Sequence, residues 1–146
     1  MLGMEKLVKM DVGSTLEEAV HLFPNLQGVK VVNDCKGLTV QADSLLKQLF
    51  YNLVQNSLKH GQKASQIRAF YKETEKDQLE LVYEDNGVGV PKSEKDKIFE
   101  EKYANRTGHG LYAIRKICEV YGWNIRETGE HGKGAQFTIT MTKGDR

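Results

Sequence analysis

Leu49-Phe50-Tyr51-Asn52-Leu53-Val54-Gln55-Asn56-Ser57-Leu58-Lys59-His60 reads as a helix with an amide in the middle of its apolar face. At about 100° per residue, Leu45, Leu46, Leu49 and Leu53 share one side. Asn56 falls within that side and Asn52 at its edge. His60 lies on the same side, Lys59 just beyond Asn52, and Gln48, Tyr51 and Gln55 turn away. Asp43 is placed to cap this helix, which is expected to run to about residue 59 and stop at Gly61. An unpaired buried polar group costs about 1–3 kcal/mol, so Asn56 must find a partner in neighbouring backbone or in a ligand.

Asn52, Asn56 and Lys59 stand at i, i+4 and i+7 along one line, which favours the ligand. A carboxamide oxygen is a hard, neutral ligand suited to Mg²⁺, an ion that takes one or two protein ligands and completes its shell with phosphates and water. Lys59 could reach the same phosphates as a point charge, or stay a solvated surface lysine.

Downstream, three glycine turns follow. Asp85-Asn86-Gly87-Val88-Gly89-Val90-Pro91 comes after a strand expected at residues 78–84. A carboxylate at a strand end can accept hydrogen bonds from an exocyclic amine, and Gly89 would let a flat ring approach the backbone. An ordinary Asp-Asn-Gly turn is the alternative. Thr107-Gly108-His109-Gly110 precedes a helix with apolar residues at Leu111, Ile114, Ile117, Cys118 and Tyr121, ended by Gly122. That helix start lacks an obvious side-chain cap, so its N–H groups and dipole would welcome phosphate. It is neither a Walker sequence nor a dinucleotide fingerprint. Gly132-Lys133-Gly134-Ala135 precedes the last strand and serves as a hairpin turn or a ligand contact. Between the first two turns, residues 92–107 are mostly charged, with Ile98, Phe99 and Tyr103 as apolar anchors. They are expected to form a mobile flap, from which Arg106 could add a phosphate contact.

The remaining chain frames these features. Ser14 and Glu17 have capping-box spacing before a short helix through Leu16, Ala19, Val20 and Phe23, ended by Pro24. Residues 29–32 and 38–40 read as two strands joined by a turn. Residues 66–72 and 78–84 read as one hairpin, and 123–127 and 135–141 as another. Strands in hairpin pairs, alternating with helices, predict an α/β (α+β) two-layer sandwich: a mixed, mainly antiparallel sheet with helices on one face. With 146 residues a single domain over 1–146 is expected, and a net charge of +1 excludes a nucleic-acid binder working through a broad basic face. No apolar run reaches membrane-spanning length. Cys35, Cys118 and the four histidines (His21, His60, His109 and His131) lack metal-site spacing, and free thiols fit a cytoplasmic protein.

In this order and spacing, the segments resemble the ATP-binding catalytic domain of sensor histidine kinases, part of the superfamily with gyrase, the ninety-kilodalton heat-shock chaperone and MutL. Residues 49–60 look like its N box and 84–91 its G1 box. Residues 97–100 are similar to the F box, 107–111 to the G2 box and 132–137 to the G3 box. The match covers about residues 43–141, and five boxes in order are far more specific than one. The resemblance implies the Bergerat fold, with Asp85 on the adenine amino group and Gly87, Gly89 and His60 about the base. Asn56 would bind Mg²⁺, and Asn52 and Lys59 would act at the phosphates. An ATP lid over about 91–106 would have Phe99 as hinge anchor and Arg106 facing the nucleotide. Thr107, Gly108, His109, Gly110, Leu111, Gly132 and Gly134 would complete the pocket.

Three positions depart from the family pattern: His60 replaces a tyrosine, Ala135 a threonine, and His109 a small or aliphatic residue. Asn52 stands where hydrolysing members carry a water-activating glutamate, and an amide takes no proton at neutral pH. The chain is therefore expected to hold ATP for transfer to an acceptor histidine. None of its histidines heads the His-Glu-x-x acceptor motif, so the acceptor would lie on a separate dimerisation and phosphotransfer domain of a longer kinase, with a response regulator downstream. An anti-sigma-type serine kinase and a non-catalytic ATP-sensing module are the alternatives.

Overall fold

The computed structural model describes residues 6–60, 64–74, 77–103 and 111–142, without the His60 side chain. Among the described residues, seven strands and three long helices carry the fold: β1 (Val8–Asp11), α1 (Val12–His21), β2 (Lys30–Asp34), β3 (Thr39–Ala42), α2 (Leu45–His60), β4 (Gln66–Thr74), β5 (Gln78–Asp85), α3 (Leu111–Val120), β6 (Asn124–Glu127) and β7 (Gln136–Thr142). The main sheet has the order β2-β4-β5-β7-β6. Only β2–β4 is parallel; the other three pairings are antiparallel.

Register explains why the helices occupy one face. Ile67 pairs with Asp85 and Ala69 with Tyr83. Tyr83 pairs in turn with Phe137, and Leu81 with Ile139. Directly opposed residues point to the same side, so the buried Ile67, Ala69, Leu79, Leu81, Tyr83, Phe137, Ile139 and Met141 form one apolar face. The opposite face carries Arg68 over the Phe70 ring, a Lys72–Glu80 pair at 3.5 Å and an Arg126–Glu80 pair at 3.5 Å. A sheet apolar on one side needs one covering layer. α1 packs on α2 and α2 on α3 to supply it. Leu46, Leu49, Phe50 and Leu53 of α2 are completely buried; each such side chain contributes about 1.5–3 kcal/mol by leaving water.

Local signals set the helix ends. Gly122 has φ +75°; its N–H donates to the Glu119 carbonyl at 3.1 Å and that of Trp123 to Cys118 at 2.8 Å, so the glycine closes α3 as expected. Asp43 holds the start of α2 through the Leu45 N–H at 3.0 Å.

Two expectations are corrected. Asp11, not Ser14, caps α1: Oδ1 of Asp11 accepts the Ser14 N–H at 2.8 Å, so Ser14 is the recipient of the cap. The strands near residues 30 and 40 do not form a hairpin. β3 pairs antiparallel with β1, a strand not anticipated, in a separate two-stranded sheet. The turn between them is pinned to α1 instead. Asn33 Nδ2 donates to the Gly13 carbonyl at 2.8 Å, and the Gly37 N–H donates to Asp11 at 2.9 Å. A Cβ on Gly13 would lie 2.7 Å from the Lys36 nitrogen, so only glycine allows this approach. β3 is thereby carried away from β2, leaving β2 to pair with β4 across the α2 crossover.

Candidate nucleotide-binding site

The C-terminal half of α2 delivers the predicted polar line. Asn56 is 9% exposed, and its Oδ1 is buried with no hydrogen-bond partner among the described residues. A buried carbonyl oxygen left unpaired is costly, and among the described residues it shares that state only with the Trp123 indole N–H, a donor away from the polar line of α2; an acceptor so placed suits a ligand. Asn52, at the edge of the apolar face, is half-buried and accepts from Gln48 Nε2 at 2.8 Å. Lys59 is exposed, free to point outward from the same helix.

Asp85 ends β5 beneath α2 and is 6% exposed. Its Oδ1 accepts the Gly87 N–H at 2.9 Å and the Ala135 N–H at 3.2 Å; its Oδ2 accepts the Ser57 hydroxyl at 2.7 Å. A carboxylate offers about four acceptor sites, so one remains for an incoming donor. Ser57 is part of a longer chain. Its oxygen lies 2.9 Å from the Tyr83 hydroxyl, which also reaches the Leu53 carbonyl at 3.1 Å. Burial pushes the Tyr83 phenol far up from its ordinary pKa, despite the Ser57 hydrogen bond, so it stays a neutral donor. Ser57 was missed from sequence, although it continues the Leu46, Phe50, Leu53 stripe and, like Asn56, interrupts an apolar face.

The glycine turns interlock. Gly89 has φ +76°, and a Cβ there would lie 2.8 Å from the Gly134 carbonyl oxygen. Gly134 has φ +129°, and its own Cβ would drive into the Asp85 carbonyl. The Gly132 N–H donates to the Val88 carbonyl at 2.8 Å. Gly132 and Gly134 therefore press the last hairpin onto the Asp85 turn, and the position of Ala135 contributes a backbone N–H that needs no side-chain hydroxyl. Phe99 is 6% exposed and meets Phe137 edge to face at 6.1 Å; Ile98 and Tyr103 are buried with it, so all three anchors of the charged segment dock on the core. A short 3₁₀ turn, Lys92–Glu94, opens that segment, and Tyr103 donates to Glu94 at 2.7 Å. Leu111 opens α3 with its side chain in the core, so only its backbone could serve a ligand. Arg106, Thr107, Gly108, His109 and Gly110, with the side chain of His60, lie outside the described residues.

Among the described residues no three His, Cys, Asp or Glu side chains cluster as a metal site, and no helix is long and apolar enough to cross a membrane. The Asn56 oxygen is instead of the kind that completes a Mg²⁺ shell shared with phosphates.

A helix layer on a one-sided mixed sheet, with an aspartate turn and an amide-bearing helix above it, is the architecture of the kinase-type ATP-binding domain. The chain belongs to the family described as histidine kinase-, DNA gyrase B- and HSP90-like ATPases, whose model matches residues 41–145. It is 36% identical over 106 residues to the aerobic respiration control sensor protein ArcB of Escherichia coli K12, an alignment covering 66% of this chain and 14% of ArcB. The catalytic domain of the histidine kinase ThkA superposes with a TM-score of 0.76 at 22% identity, covering 97% of this chain and all 100% of that one. Full-length ShkA in complex with AMPPNP superposes with a TM-score of 0.74 at 19% identity, covering 94% of this chain and 31% of ShkA. The fold expected from the sequence is thus the fold observed.

Proposed function

We propose that this domain binds Mg·ATP and donates the γ-phosphoryl group to a histidine on a separate dimerisation domain, as the catalytic part of a two-component sensor kinase. The buried Asn56 oxygen, unpartnered among the described residues, carries this reading, because a phosphate-bound Mg²⁺ would satisfy it. The remaining acceptor site of Asp85 would take the exocyclic amine of adenine, held in line by Ser57, Gly87 and Ala135. Bound Mg²⁺ would neutralise phosphate charge. Lys59 would add a point charge beside the phosphates, and Gly108 and Gly110, at the entrance to α3, would cradle them. Residues 91–106 would act as the lid, hinged on Phe99.

Asn52 supports transfer over hydrolysis. Its amide cannot abstract a proton from water, so ATP would persist until an acceptor is aligned, and transfer would depend on positioning and charge neutralisation. The 36% identity to the sensor protein ArcB points the same way. The domain alone, lacking an acceptor histidine motif, should not label itself. Incubation with γ-labelled ATP and a separate dimerisation domain bearing the acceptor histidine tests this: label on that domain supports the reading, whereas label on this chain's own histidines, or none anywhere, contradicts it.

A further inference from the structure

Asn86 is solvent-exposed, yet both ends of its side-chain amide are engaged. Its Oδ1 accepts the Ser65 N–H at 2.8 Å and the Gln66 N–H at 2.9 Å, and its Nδ2 donates to the Ser65 hydroxyl at 2.9 Å. Its backbone N–H donates to the Gln66 carbonyl at 3.2 Å. The pairing of β4 with β5 ends at Ile67 opposite Asp85. One residue further on, where the chain turns out of the sheet, the Asn86 side chain extends that pairing with bonds of its own.

β5 lies between β4 and β7. On the β7 side the Asp85 N–H donates to the Ala135 carbonyl at 2.9 Å, and Gly134 packs on the Asp85 carbonyl. A Cβ on Gly134 would also lie 3.0 Å from the Asn86 Cα. The turn is therefore pressed from one side by the last hairpin and held from the other by Asn86. Gly87, Ala135 and Ser57 grip the Asp85 carboxylate, while Asn86 fixes the main chain from which that side chain projects. Ser65 and Gln66 are exposed, so water can satisfy their N–H groups once the amide is gone. Water cannot hold two chain segments at a fixed separation. What the amide supplies is position more than stability.

We infer that Asn86 is a positioning residue for base recognition: it anchors the Asp85 turn to β4, so that the Asp85 carboxylate is aligned for the exocyclic amine before adenine arrives. This rests on the ATP-binding reading above. Asn86→Ala removes the anchor. Asn86→Asp keeps an oxygen for both N–H groups, the Ser65 hydroxyl can turn to donate to the second oxygen, and the added charge is exposed and screened.

Calorimetric titration with ADP in a double-mutant cycle tests the anchor. Asn86→Ala should weaken ADP on the order of tenfold, and Asn86→Asp should stay within about threefold of the unsubstituted chain. With Asp85→Asn already present, Asn86→Ala should cost no more than about twofold further, because the carboxylate it aligns is absent. A purely structural residue would give the same loss in both backgrounds. Unchanged ADP affinity in Asn86→Ala, or equal losses with and without Asp85→Asn, overturns the proposal. If Asn86→Ala fails to fold, Asn86→Gln, whose amide is displaced by one methylene, takes its place with the same two outcomes. Should the unsubstituted chain bind no ADP, the ATP-binding reading fails, and hydrogen exchange decides the anchor by itself. Faster exchange in Asn86→Ala at the Ala135 N–H, which bonds to Asp85 and not to Asn86, supports it. Unchanged exchange there removes it.

Discussion

The Ser57 hydroxyl donates to Asp85 at 2.7 Å, linking the helix that carries the amides to the turn that would read the base. Asp85 otherwise depends on backbone N–H groups of its own turn and of the last hairpin, so Ser57 is its one side-chain contact to α2 among the described residues. Ser57→Ala should leave Tyr83 bonded to the Leu53 carbonyl and Asp85 one bond short. The expected cost is about 1–3 kcal/mol in urea unfolding, with weaker adenine-nucleotide binding. Wild-type stability together with wild-type affinity would remove Ser57 from the network.

Asn56→Leu should separate stability from function. Replacing an orphaned buried amide with an apolar side chain of the same branching removes a desolvation cost, so the nucleotide-free fold should unfold at equal or higher temperature. Mg·ATP affinity should fall much more than metal-free ATP affinity. Equal losses with and without Mg²⁺ would contradict a metal-ligand role.

Gly134→Ala should fail structurally. The position has φ +129°, and the added methyl would drive into the Asp85 carbonyl, so strain and displacement together should exceed the 1–3 kcal/mol typical of a forced backbone outlier. Denaturant melts and nucleotide binding should both suffer. Gly132→Ala, at φ +93° with open space about its Cβ, should cost less. The reverse ranking would mean the two turns do not interlock as described.

The buried thiols set an alkaline limit. Burial pushes both Cys35 and Cys118 up from 9.0 to about 12, helped by the nearby Asp34 charge for the first and Glu119 for the second. The folded state therefore keeps its protons where the unfolded state releases them. Any stability this represents is fully present below pH 9 and is lost as pH rises from there toward about 12. Thiol labelling at pH 8 should be slow in the native protein and become rapid in denaturant. Rapid native labelling would contradict the burial of both residues.

Periodicity made Asn56 legible, because a helix of fixed pitch reports its own faces. The Asp85 turn and the glycine signals were legible for a similar local reason: few residues suit those backbone angles. Pairing was not. Nothing within residues 29–40 shows that Asn33 and Gly37 bind to α1, so a hairpin was the natural local reading and the β1–β3 sheet was invisible. Ser14 looked like a cap because its spacing to Glu17 fits one, but Asp11, three residues earlier, accepts the N–H that matters. Glu127 and Lys95 are 32 residues apart and only tertiary contact shows that they pair. The order of the five boxes conveyed the fold despite these errors, because each box marks a place where the backbone or a buried polar group has few alternatives.

The central claim is that Asp85, held on three sides, accepts the amine of adenine. Titration of Mg·ATP into the unsubstituted chain and into Asp85→Asn tests it most directly. Saturable binding is expected to the first and a loss of about 1.5–3 kcal/mol in the second, on the order of tenfold to a hundredfold in Kd. Equal affinity in the two, with the fold intact, would contradict it.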